Sequence, residues 1–344
     1  MTQAEERGLK PLLVQLGLCA FARPWLGGRG SVLVFHRVRE PDATMMHGTN
    51  RQNCVSAAVL RTLLAALATT GIDVVTLDEA TARLAGEATP RRFVCLTFDD
   101  GYRDNLDALL PILEAFRIPA TIYIAPGLVD GTAPLWWYGL DQAISHATML
   151  RLPQDMGGDI PARTHQEKRA AFATASRLML LSAPGAAARI VDALADRHGV
   201  DFAALARVHM LDWTGVRTLA ASPYVEIGAH TVSHPSLATL EEAAVRSEMA
   251  GSRERLAQET GREIRHFAYP YGGGDTVGAR ELRLAAELGF ASAVSTTLGN
   301  LFRPHAQARH CWPRHGIGPD DGPAALHLKL AGIVRPNRKG CITA

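Results

Sequence analysis

Short apolar runs alternate with longer stretches that carry apolar residues at helical spacing, in two parts of the chain separated by a middle part with a different rhythm. Residues 31–35 (SVLVF) form an apolar β run ending at His36. Residues 44–53 are polar and read as a loop, and residues 55–70 repeat apolar side chains at helical period up to a stop at Gly71. Residues 74–77 predict a strand and 78–84 a short helix. Residues 92–98 (RFVCLTF) predict a buried strand that runs straight into Asp99-Asp100-Gly101. A helix over 105–116 and a strand over 120–124 follow. Strand–helix–strand alternation predicts parallel strands joined by crossover helices.

Between residues 131 and 212 β runs are scarce. Trp136-Trp137-Tyr138 opens this part, and helical patterns follow near 140–149, 167–181 and 186–198, so it reads as a helical insertion. The β/α rhythm returns with strands at 225–229, 266–268 and 291–295 and helices at 240–260 and 278–288. Thr239 with Glu242 three residues on has the spacing of a capping box.

Composition narrows the function classes. Apolar residues make up 47% and charged residues 20%, enough for a sizeable core. Lys and Arg number 36 against 34 Asp and Glu, a net charge of +2, which leaves no global field to attract nucleic acid. The basic stretch 335–339 is short and reads as a solvated end. Cys19, Cys54, Cys95, Cys311 and Cys341 form no CxxC pair, which argues against a disulfide framework or zinc knuckle and fits a reducing compartment. Residues 11–22 are apolar but too short to span a bilayer, and no clear cleavage site follows. Residues 1–28 are therefore expected to be a helical segment, packed on the domain or else lying on a membrane surface. The expected location is cytoplasmic, with inner-membrane association through this segment as the alternative.

Two motifs carry candidate chemistry. Asp99 and Asp100 stand at the C-terminal end of an apolar strand, where α/β sites are built, although an Asp there also serves as a helix cap. His230 and His234 (HTVSH) follow a second apolar strand and share a face if the segment is one helical turn. Isolated histidines are more often satisfied polar residues, but this pair suits a divalent metal such as zinc. One carboxylate and two imidazoles would leave open positions for water and substrate, with the second carboxylate free as a base.

TFDDGY at residues 97–102 resembles the first motif of the NodB-like polysaccharide deacetylases, HTVSH their second, and FAYPYG at 267–272 their third. SVLVFHRV at 31–38 resembles the opening strand of members related to the β-1,6-N-acetylglucosamine deacetylases. The resemblance covers residues 31–314, and four motifs in order are far more specific than any one. It implies a distorted (β/α) barrel of about seven parallel strands over residues 29–344, with the insertion at 131–212. It implies that Asp100, His230 and His234 bind the metal, most naturally zinc, and that Asp99 is the base. The Tyr271 N–H is the expected oxyanion donor.

The chain departs from the family pattern in two places. No late histidine motif supplies the general acid, so His36 is the first candidate, with His315 and His310 behind it. Ala268 stands where related motifs carry an arginine that orients the base, and Arg314 is the candidate replacement from another strand. Trp137, within the aromatic triplet, is a candidate sugar-stacking residue; the alternative is that the triplet anchors the insertion. The expected activity is removal of N-acetyl groups from N-acetylglucosamine-type sugars. Hydrolysis of another amide, such as an N-formyl group on a lipid-linked amino sugar, and a non-catalytic sugar-binding module are the competing readings.

Overall fold

The computed structural model describes residue 14 and residues 17–41, 49–86 and 91–333. Eight strands build one sheet: β1 (Gly30–Phe35), β2 (Asp73–Val74), β3 (Phe93–Phe98), β4 (Ala120–Ile124), β5 (Val225–Ala229), β6 (His266–Ala268), β7 (Ser292–Val294) and β8 (His315–Gly316). Seven of them follow the order β7-β6-β5-β4-β3-β1-β8, all parallel, while β2 pairs with the first half of β3. The sheet curls until its edges are drawn together by one segment. Trp312 bridges to Val294 of β7, and three residues on His315 pairs with Leu33 of β1. This is the distorted (β/α) barrel that the family resemblance implies, built of the parallel strands expected from the alternation of strands and helices.

The strands form where β-branched and aromatic residues cluster, and β1 and β3 are buried along their whole lengths, as parallel strands covered on both faces must be. Helices α1 (Leu18–Leu26), α2 (Ala57–Ala68), α3 (Leu77–Ala85), α4 (Leu110–Phe116), α5 (Trp136–His146), α6 (His165–Leu181), α7 (Pro184–His198), α8 (Phe202–His209), α9 (Trp213–Ala221), α10 (Glu242–Thr260), α11 (Ala279–Glu287) and α12 (Pro323–Leu330) accompany the sheet. Ser56 and Thr76 accept hydrogen bonds from the backbone N–H groups of Val59 and Glu79, which starts α2 and α3. The Thr76 cap explains why the strand expected over 74–77 stops at Val74 and Leu77 already belongs to a helix.

Three other local expectations are corrected. Thr239 does not cap α10: its hydroxyl donates to the Ser236 carbonyl inside a short 3-10 turn, and α10 starts behind Glu241. The helix expected from 105 opens instead with a π turn, Asn105–Leu109. The middle part carries an antiparallel hairpin, Met149–Arg151 with Asp159–Pro161, beside its helices. Residues 1–13 lie outside the described residues. The described α1 leaves Phe21 and Trp25 each 78% exposed, and among the described residues no helix is long and apolar enough to cross a membrane.

Three apolar cores result among the described residues, the smallest gathering Val32, Phe93, Tyr123, Val294 and Trp312. The largest lies between the sheet and its helices, with Phe35 and Phe98 stacked at 4.9 Å. The second joins α5–α8 to Tyr102, Ala125 and Leu128 at the barrel's mouth. Gly228 pairs with Tyr123 across β5 and β4, and a Cβ there would lie 2.3 Å from the Tyr123 ring. Gly228→Ala should therefore lower stability by about 1–3 kcal/mol through overpacking, read as a lower urea midpoint. An unchanged midpoint would show that the ring can move aside.

Candidate active site

The strand ends place the candidate residues together. Phe35 pairs with Phe98, Ile124 with Ala229 and Ala229 with Phe267, so β1, β3, β4, β5 and β6 finish at one rim. His36, Asp99-Asp100 and His230 are the residues that follow β1, β3 and β5. Asp99, Asp100, His230 and His234 are all buried.

The two histidines do not share a helical turn. Residues 230–236 form an irregular loop, with Thr231 and His234 in left-handed conformations (φ 60° and 56°). Asp100 (φ 79°) and Tyr271 (φ 62°) are left-handed as well, so among the described residues four of the five non-glycine residues with positive φ lie at this mouth. Each such residue costs about 1–3 kcal/mol and persists only where its surroundings hold it. They do so here. The Glu248 carboxylate on α10 accepts from Val232 N (2.8 Å), Ser233 N (2.9 Å) and Ser233 Oγ (2.6 Å). Gly127 N donates to the Val232 carbonyl at 2.8 Å, an approach that a Cβ on Gly127 would block.

Asp100 Oδ1 lies 3.3 Å from His230 Nε2 and 3.2 Å from His234 Nε2. The Nδ1 atoms decide what those Nε2 atoms carry. His230 Nδ1 is 2.7 Å from the Ala268 carbonyl, which can only accept, so the proton sits on Nδ1 and Nε2 is bare. His234 Nδ1 is 3.2 Å from the Tyr271 hydroxyl, which donates to the His234 carbonyl and accepts from Trp136 Nε1. A phenol has one hydrogen, so His234 Nδ1 is the donor there and its Nε2 is bare too. Burial keeps the His234 imidazole below its ordinary pKa. Two imidazole lone pairs and a carboxylate oxygen, mutually within 4.8 Å, thus meet with no hydrogen between them. Ligands at bonding distance from a tetrahedral zinc lie about 3.3 Å from one another. The residues fit a divalent metal.

Asp99 is kept apart from that cluster by Arg314, which is fully buried on the segment closing the barrel. Arg314 Nη1 and Nη2 donate to the two Asp99 oxygens at 2.8 and 2.7 Å, and Nε donates to the Ser295 carbonyl. Burial would raise the Asp99 pKa, but Arg314 reverses this and holds the carboxyl ionised. A guanidinium, absent at Ala268, therefore reaches Asp99 from the segment just ahead of β8.

The remaining candidates separate clearly. His36 is half-buried and follows β1, whose last residue pairs with Phe98 beside Asp99. His315 bonds Asn300 inside the barrel and His310 bonds the Phe290 carbonyl, so neither joins the group. Tyr271 N–H has no acceptor among the described residues. Trp137 is only 7% exposed, with its ring 5.0 Å from His234, so it offers no open stacking platform and instead packs behind a candidate ligand. Glu248 and the Tyr271 hydroxyl were not singled out by sequence, since nothing in their spacing shows what they touch. A second cluster, Asp78–Glu226–His266, lies at the opposite end of the barrel. There Arg265 Nε already donates to Asp78 Oδ1, and the two carboxylates overcome burial to raise the His266 pKa, which describes an ion-paired network.

Fold and site together define a parallel α/β barrel with its candidate residues gathered at the C-terminal mouth of the strands. Residues 86–293 match the family model for polysaccharide deacetylase, and the chain belongs to that family. Among solved structures it is similar to the Streptococcus pyogenes deacetylase PplD in complex with acetate (17% identity, 87% of this chain and 97% of that one, TM-score 0.57). It is also similar to IcaB from Ammonifex degensii (19%, 89% and 98%, TM-score 0.57) and to a de-N-acetylase from Aggregatibacter actinomycetemcomitans (16%, 87% and 99%, TM-score 0.54). No curated protein matches the chain.

Arg314→Met should move the acid limb of the kcat/KM profile to higher pH, because the group depressing the Asp99 pKa is removed while burial remains. At neutral pH it should also cost about 3–5 kcal/mol of stability, the penalty of an uncompensated buried charge. Asp99, with its folded pKa depressed, contributes stability that is present above the ordinary carboxylate pKa and lost as pH falls through the folded value, so the variant's deficit should shrink in acid. An unmoved acid limb would show that Arg314 does not set the Asp99 pKa.

Proposed function

We propose that the protein is a metal-dependent N-deacetylase that hydrolyses the acetamide of N-acetylglucosamine-type units in an oligo- or polysaccharide. The observation that carries this reading is the pairing of Asp100, His230 and His234, an acceptor-only set, with a separate carboxylate, Asp99, kept ionised by Arg314. A divalent ion in that set, zinc by its donor types, would polarise the acetamide carbonyl and lower the pKa of water. Asp99 takes the proton of the attacking water. The Tyr271 N–H is the donor assigned to the developing oxyanion. His36 protonates the departing amine, so that acetate and a free amino sugar leave. The similarity to a de-N-acetylase and to a deacetylase holding acetate supports an acetyl rather than another acyl group.

Purified protein should release acetate from N-acetylglucosamine oligomers, lose that activity on chelation and regain it with zinc or cobalt. Asp99→Asn should fall by about 10²–10⁴-fold, the usual contribution of a general base. His36→Gln should fall by a similar factor, the usual contribution of a general acid, with zinc binding retained. N-formyl oligomers run in parallel decide the acyl group, and release of formate without acetate would overturn the proposal.

A further inference from the structure

Three consecutive aromatic residues open α5, and each reaches a different loop of the mouth. Trp136 Nε1 donates to the Tyr271 hydroxyl at 2.9 Å, in the loop after β6. Trp137 Nε1 donates to the Tyr102 hydroxyl at 2.9 Å, two residues beyond Asp100. The Tyr138 hydroxyl accepts from Arg37 at 2.6 Å, and Arg37 lies just after β1 and over the Tyr102 ring. All three aromatics are nearly buried, and the two indoles meet edge to face at 5.6 Å. The far end of the insertion grips the loop after β3 as well, because Leu211 N donates to the Gly101 carbonyl and Tyr102 bridges to Met210.

We propose that the Trp136-Trp137-Tyr138 turn is a positioning device through which residues 131–212 set the metal affinity of the Asp100–His230–His234 centre. The inference rests on the metal reading above. Trp136 occupies one lone pair of the Tyr271 oxygen and turns the phenol hydrogen to the His234 carbonyl. The second lone pair is left for His234 Nδ1–H, which fixes the imidazole with Nε2 bare toward Asp100. Partners of this kind behind a ligand are worth about 10–100-fold in metal affinity. Trp137 acts on both sides, since its ring packs on His234 while its N–H holds Tyr102. Reciprocity follows: a turn that tightens metal binding is itself tightened when metal binds.

The test measures zinc affinity by competition with a chromogenic chelator for the full chain and for Trp136→Phe, Tyr271→Phe and the double variant. Each single variant should bind zinc about 10–100-fold more weakly. The double variant should be no weaker than Tyr271→Phe alone, because both changes act through one hydroxyl. Loss of packing, by contrast, would add. Zinc should also slow amide exchange in 136–146 of the native chain, and less so in Trp136→Phe. Native affinity in both single variants, or simple additivity in the double, would overturn the positioning role and leave the metal centre standing. A native chain that binds no zinc would sink the metal reading, and this inference with it.

Discussion

The site depends on one electrostatic constraint: Asp100 Oδ1, His230 Nε2 and His234 Nε2 face one another across 3.2–3.3 Å in a buried mouth, and none of them has a hydrogen to offer. Lone pairs turned on one another in a low-dielectric pocket repel, and a cation is the natural way to resolve it. Much of the surrounding structure maintains that arrangement. The Ala268 carbonyl and the Tyr271 hydroxyl hold the protons on the Nδ1 side. Glu248 and Gly127 hold the loop that bears both histidines. Arg314 satisfies the second carboxylate, so that Asp99 stays outside the ligand set.

The barrel supplies rigidity and the loops supply the strain. Strands pair in register up to a common rim, and within a few residues the backbone enters left-handed conformations at Asp100, Thr231, His234 and Tyr271. A regular continuation of β3 would send Asp99 and Asp100 to opposite faces. The left-handed Asp100 lets the two carboxylates take different partners, one facing the imidazoles and one facing Arg314. Closing the sheet with 312–316 is what delivers Arg314, so barrel closure and the ionisation of Asp99 depend on the same segment.

Much of this was legible in the sequence. The strands at 120–124, 225–229 and 266–268 appear with the expected bounds, because apolar β-rich runs between polar breaks carry a strong local signal. The four central residues were legible from their positions after such strands, and Arg314 from the gap left by Ala268. What failed was local geometry set by tertiary contacts. The histidines converge through left-handed residues rather than a helical turn. Thr239 spends its hydroxyl on Ser236 rather than on a cap. Of the two readings of Trp137, packing on His234 fits the anchoring one and leaves no exposed platform for sugar. Glu248 is one acid among many along a charged helix, and only the folded chain shows that it holds the histidine loop.

X-ray absorption at the zinc edge of the zinc-loaded full chain tests the central claim most directly. Two imidazole nitrogens and oxygen ligands at about 2.0–2.2 Å, reduced to one imidazole in His234→Ala, are the predicted result. Zinc with no imidazole in its shell, or a shell unchanged by His234→Ala, would contradict the account.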